Sequence, residues 1–80
     1  MTRAISIPEL HWLAAQLLFI PDFRSAGQGE MRCREIGVRI LEDFGHNGMV
    51  AVCEFVRDNF DRSIYRTVEK TWDGIGQWRG

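Results

Sequence analysis

The sequence predicts an all-α fold, a compact four-helix domain with a docked C-terminal tail, in which residues 1–80 form a single helical domain. Apolar residues recur at spacings of three and four along most of the chain, the period of a helix with one buried face. Glycine and proline mostly fall between these stretches. The chain has 80 residues, of which 45% are hydrophobic, and a formal net charge of −1, as expected of a small globular domain.

The first helix is predicted at about 7–19. Ser6 and Glu9 have the spacing of a capping box, and Pro8 is tolerated in a first turn that makes no internal hydrogen bonds through its N–H groups. Pro21 ends the helix, because the residue before proline is disfavoured in the α region. Residues 20–29 form a loop that is long for a helix–helix connection.

The second helix is predicted at about 30–44, with Gly45 as its stop. Gly37 lies inside it and is expected to permit close approach of a neighbouring helix, which would offset its poor helix propensity. The inward face is expected to contain Cys33, Ile36, Gly37, Ile40, Leu41 and Phe44.

The third helix is predicted at about 48–59, after a turn at residues 46–48. Its content of β-branched residues makes a strand the competing interpretation, although its polar residues break strict alternation. The fourth helix is predicted at about 62–73 and ends at Gly74. The tail that follows carries Ile75 and Trp78, so we expect it to dock on the core.

Several kinds of chemistry are not indicated. No two of the candidate metal ligands lie within four positions of each other, whereas zinc ligands usually occur in close pairs; these candidates are His11, Cys33, His46 and Cys53. The two cysteines fall in apolar helical patterns, which favours reduced core thiols in a cytoplasmic protein. We therefore expect no catalytic residue, no cofactor and no metal. The apolar runs are too short to span a membrane.

Two basic features could contact a partner. Gly27, Gln28 and Gly29, with Arg32 and Arg34 nearby, could offer an anion contact at the start of the second helix. In the fourth helix, Arg62, Arg66 and Lys70 recur every four residues and form one basic stripe.

The short junction before this stripe resembles a helix-turn-helix. However, Glu54 and Asp58 stand where that motif usually has a small residue in its first helix and a glycine in its turn. Acidic neighbours also dilute the positive charge of the stripe. A small nucleic-acid-binding regulator is therefore the alternative function.

The ending Trp72-Asp73-Gly74-Ile75-Gly76-Gln77-Trp78 is similar to that of short uncharacterised helical proteins of bacteria and phages that finish in W-[DN]-G-I-G-x-W. The resemblance covers the segment 41–80 and implies a small helical protein without a transferable catalytic residue. In size, the chain also resembles the accessory proteins of phages and mobile elements, including anti-CRISPR proteins, which occupy a surface of a larger host complex.

These observations predict a non-enzymatic protein-interaction module, and a phage or mobile-element inhibitor or regulator is one concrete version. The expected partner is another protein, with a homodimer or a nucleic acid as further options and no membrane. The expected partner-binding residues combine the basic stripe with the tail: Arg62, Arg66, Lys70, Trp78 and Arg79.

Overall fold

The computed structural model describes residues 3–20 and 28–79 and contains three helices, α1 (Ile7–Leu18), α2 (Gln28–Asn59) and α3 (Arg62–Thr71). Helices account for 77% of the described residues, which contain no strand, so the all-α prediction is confirmed. The predicted count of four helices is wrong, because the second and third predicted helices are two arms of one helix, α2. Most of the predicted loop at 20–29 lies outside the described residues.

Helix α1 begins where its capping signal predicts. The hydroxyl of Ser6 accepts a hydrogen bond from the backbone N–H of Glu9, and the Glu9 carboxylate accepts one from the backbone N–H of Ser6. The guanidinium of Arg3 donates two hydrogen bonds to the same carboxylate, at 3.0 and 2.6 Å. The first turn of α1 is therefore held by contacts within residues 3–9.

Helix α2 bends at a single residue, Gly45, whose φ is 78° and ψ is −175°. This combination is essentially restricted to glycine, so the predicted stop at Gly45 is correct for the first arm. The predicted turn at residues 46–48 is wrong, because these residues are already helical and the second arm resumes at once. One glycine absorbs the whole change of direction, which is why no connecting loop is needed.

Helix α3 begins at the N-cap Asp61, whose carboxylate accepts a hydrogen bond from the N–H of Ser63 at 2.8 Å. At its other end, Arg34 of α2 donates hydrogen bonds to the carbonyls of Thr71 and Asp73, at 2.6 and 3.0 Å. A cation at a helix C-terminus satisfies carbonyls that the helix leaves unpaired. Helices α2 and α3 are thus connected by the hydrogen bonds of Arg34 as well as by apolar packing in the core.

One apolar cluster lies between the three helices. Helix α1 contributes Leu13, Ala14 and Leu17, and the other helices complete the cluster, which also contains Cys33, Ile36, Ile40, Phe44, Met49, Val52, Cys53, Val56, Val68 and Trp72. The expected inward face of the first arm is confirmed except at Leu41, which is only partly buried. The radius of gyration, 11.3 Å, is close to the value of about 12 Å expected for a compact chain of this length.

The tail closes this cluster from one end. Ile75 and Trp78 are buried, and the Gly74 N–H donates to the Trp78 carbonyl at 3.0 Å. The indole of Trp72 packs on Gly37, where an added Cβ would lie 2.6 Å from Trp72 Nε1, so the close approach at Gly37 is made by this C-cap side chain and not, as predicted, by a neighbouring helix. The same Nε1 donates to the Cys33 carbonyl at 2.9 Å. The glycine-rich ending therefore has a structural role.

Among the described residues, no helix combines the length and the apolar character that crossing a bilayer requires.

Candidate interaction surfaces

The predicted basic stripe lies on the outer face of α3. Arg62, Arg66 and Lys70 are exposed, whereas Val68 and Thr71 on the opposite side are buried. Within residues 3–20 and 28–79, Arg66 and Lys70 form no side-chain hydrogen bond or ion pair. These two cations are therefore available to a partner without first breaking an internal contact.

Acidic groups near the stripe have other contacts. Asp61 caps α3, and the carboxylate of Glu69 accepts a hydrogen bond from the Tyr65 hydroxyl at 2.6 Å. This bond raises the pKa of Tyr65, because the neutral phenol is the form that donates. Among the described residues, Asp58 pairs with Arg57 of α2. The negative charges thus reduce the potential of the stripe without pairing Arg66 or Lys70.

The tail residues of the predicted site differ from each other. Arg79 is exposed, but Trp78 is only 8% exposed. The Trp78 indole donates to the Glu69 carbonyl at 2.9 Å, and its ring lies edge-on to Trp72 with centroids 5.2 Å apart. The folded monomer therefore does not present the Trp78 ring to a partner. Of the two tail residues in the predicted site, only Arg79 is accessible.

A groove between α1 and the first arm of α2 was not anticipated from the sequence. It has a volume of about 650 Å³, and its lining includes Leu13, Ile36, Met31, Val38 and Arg39. A smaller cavity, which shares Leu13 and Arg39 with the groove and also touches Trp12, continues it along α1. Met31 and Val38, seven residues apart on one side of α2, were the available signal in the sequence, but their position beside α1 depends on helix packing.

The two thiols are placed in the core, as predicted. Burial raises the pKa of Cys33 and of Cys53 to about 12 each, because a thiolate loses its hydration there. A group with this pKa is almost entirely protonated at neutral pH and is a poor nucleophile. In the described part of the chain, no hydrogen bond joins either thiol to a histidine.

The histidines occupy different environments. His11 lies edge-on to Phe55, with ring centroids 4.7 Å apart. The His46 and Trp78 ring centroids lie 5.8 Å apart, and the buried Nδ1 of His46 has no hydrogen-bond partner among the described residues. Among residues 3–20 and 28–79, no three histidine, cysteine or acidic side chains are grouped so that they could hold a metal ion.

The anion contact that the sequence suggested at the start of α2 is only partly described, since Gly27 lies outside the described residues. The two arginines expected to assist it are engaged elsewhere. Arg32 pairs with Glu35 at 3.3 Å, and Arg34 caps the C-terminus of α3.

No family model, curated protein sequence or solved structure matches this chain.

Proposed function

We propose that this chain is a cytoplasmic, non-enzymatic protein-interaction module that binds an acidic surface of a larger host complex; a phage or mobile-element inhibitor or regulator is one concrete version. The observation that carries the proposal is the stripe of Arg62, Arg66 and Lys70, exposed along one side of α3. The buried free thiols fit a reducing compartment.

Chemistry favours a protein carboxylate or another oxyanion as the group that meets this stripe. An arginine fork forms paired hydrogen bonds with a carboxylate, and arginine is enriched among the residues that dominate binding energies. The helix holds its cations on a rigid element, because Asp61 caps one end and Arg34 caps the other. Binding therefore orders only the side chains, which lowers its entropic cost.

The same stripe could instead meet nucleic-acid phosphates, which is the alternative function. In a helix-turn-helix, Glu54 and Asp58 would occupy the positions of a small residue and of a turn glycine, and neither residue fits. The net charge of −1 also gives the chain no overall attraction to a polyanion. These observations favour the protein partner.

The test is affinity capture from lysate of the native host, with and without nuclease, read by mass spectrometry. The tagged wild-type chain is compared with the triple variant Arg62→Glu, Arg66→Glu, Lys70→Glu. We expect one protein partner to survive nuclease treatment with the wild type and to be lost with the triple variant. The variant Glu54→Lys, which reverses an exposed charge on the second arm of α2, outside both the stripe and the groove, should retain the partner.

Two results would contradict the proposal. Recovery that disappears with nuclease, together with an affinity that falls linearly on a log–log plot against salt, would assign the stripe to nucleic acid. A partner that binds the triple variant as well as it binds the wild type would show that the stripe is not the contact surface.

A further inference from the structure

The surface along the groove between α1 and α2 carries three large apolar side chains that the fold leaves in contact with water. Trp12 is 61% exposed, Met31 is 64% exposed and Val38 is 41% exposed. All three border the groove or its smaller continuation. Exposed apolar side chains that lie together in one depression are typical of a protein contact site, whereas single exposed apolar residues are common on any protein surface.

The first arm of α2 presents this surface as a regular stripe. Met31, Glu35, Val38 and Glu42 are separated by four, three and four residues, so they follow one side of the helix. Arg32 and Arg39 flank the same stripe and also line the groove. A helix laid along this side would therefore meet an apolar seam with charges of both signs beside it.

The order of these charges is self-complementary. Arg32 and Glu42 stand five positions before and after Gly37, and Glu35 and Arg39 stand two positions before and after it. If two such helices lie antiparallel about a two-fold axis on the exposed side, at the level of Gly37 along the helix, Arg32 and Arg39 face Glu42 and Glu35 of the second copy. A parallel arrangement in register would instead place like charges opposite each other.

We propose that this groove surface binds a second copy of this chain, with the first arms of α2 antiparallel. In this dimer Arg32 contacts Glu42 of the second copy, Glu35 contacts Arg39 of the second copy, and Met31, Val38 and Trp12 form the apolar seam. The inference goes beyond the proposed function, because it uses a different surface from the stripe on α3.

The charges needed for this contact are accessible. Among residues 3–20 and 28–79, Arg39 and Glu42 form no side-chain hydrogen bond or ion pair. Arg32 and Glu35 pair only with each other, at 3.3 Å, and their side chains are 53% and 63% exposed. A chain of 80 residues also buries a smaller fraction of its surface than a larger domain does, so pairing two copies adds apolar burial that one copy lacks.

Sedimentation equilibrium across about 10 µM to 1 mM, the range in which small interfaces associate, tests the dimer. We expect the wild type to convert from monomer to dimer with concentration. Val38→Glu should remain monomeric. Arg32→Glu and Glu42→Arg should each weaken association about tenfold, because a two-fold axis makes every pair occur twice.

The decisive variant combines the two reversals. Arg32→Glu with Glu42→Arg restores opposite charges across the axis, and we expect association within about threefold of the wild type. These residues are ten positions apart, too far for a contact within one helix, so the rescue reports the contact between copies. Arg66→Glu, on α3, is the matched control and should dimerise like the wild type.

A wild type that stays monomeric throughout the range would overturn the proposal. A dimer that forms but is indifferent to the single reversals, or is not rescued by the double variant, would overturn the antiparallel contact. Far-UV circular dichroism of each variant separates these outcomes from loss of folding, since all the substituted positions are exposed. Dimerisation and partner capture are read separately, so either proposal can fail alone.

Discussion

The contact between Trp72 and Gly37 illustrates how little tolerance the core has at the scale of one residue. The indole is fully buried, and an alanine Cβ at position 37 would lie within 3 Å of three indole atoms. Neither the ring nor the hydrogen bond from Nε1 to the Cys33 carbonyl can shift without loosening the junction of α2 with α3. The glycine is therefore required by space rather than by backbone conformation.

We expect Gly37→Ala to lower the free energy of unfolding by about 1–2 kcal/mol, measured by urea titration. Overpacking costs about 1–3 kcal/mol, and the helix propensity of alanine returns up to about 1 kcal/mol of it. Arg66→Ala, at an exposed helical position, is the control and should change stability by less than about 0.5 kcal/mol. Equal stability of Gly37→Ala and the wild type would contradict the packing described for Trp72.

At the scale of the element, the bend in α2 depends on Gly45. Its φ of 78° with ψ of −175° is costly for an L-residue, but the mirror-image angles are ordinary extended backbone. The bend allows one 32-residue helix to contact both α1 and α3. The conformation of one residue thus decides whether the two arms share a core.

We expect Gly45→Ala to destabilise the protein by about 2–3 kcal/mol in urea or thermal unfolding, because the strain falls on one backbone position. A synthetic chain with D-alanine at position 45 adds the same methyl group with the favourable handedness, and it should retain most of the wild-type stability. If the L- and D-alanine chains were equally stable, backbone strain at this position would not be the cause.

The same elements show what the sequence could and could not predict. The start of α1 was predicted correctly, because Ser6 and Glu9 form a local hydrogen-bonded signal. Gly45 was recognised as a helix stop. The immediate return to helix after it depends on the φ and ψ angles of Gly45, which the residue type alone does not specify. For this reason two helices were predicted where one bent helix exists.

The candidate surfaces also include features that local sequence predicts and features that arise only from tertiary packing. The exposure of Arg62, Arg66 and Lys70 followed from helical periodicity, which is a local property. Trp78 was assigned to a partner, but its burial arises from a tail that folds back on α3. The groove was missed because it exists only once α1 is placed against α2.

At the scale of the whole molecule, the two buried thiols connect stability to pH. Their pKa of about 12 in the folded protein lies above the ordinary value of 9.0, so the folded state holds its protons more tightly than the unfolded state. This stabilisation is complete below about pH 9 and is lost as pH rises toward 12. The raised pKa of Tyr65 acts in the same direction.

We therefore expect the free energy of unfolding to fall steadily between about pH 9 and pH 11. Cys33→Ala and Cys53→Ala should each make this decline shallower, whatever they do to stability at pH 7. The slope is read from urea titrations at several pH values. A decline equally steep in both variants would assign it to other groups.

The three tryptophans also give the chain two separate optical reporters. Trp72 and Trp78 are buried and lie edge-on with centroids 5.2 Å apart, and this fixed asymmetric packing gives a near-ultraviolet dichroism that disappears when the core opens. Trp12 remains in water beside the groove, where acrylamide quenches its fluorescence. Core closure and occupancy of the groove can therefore be followed in one unlabelled sample, the first by dichroism and the second by quenching.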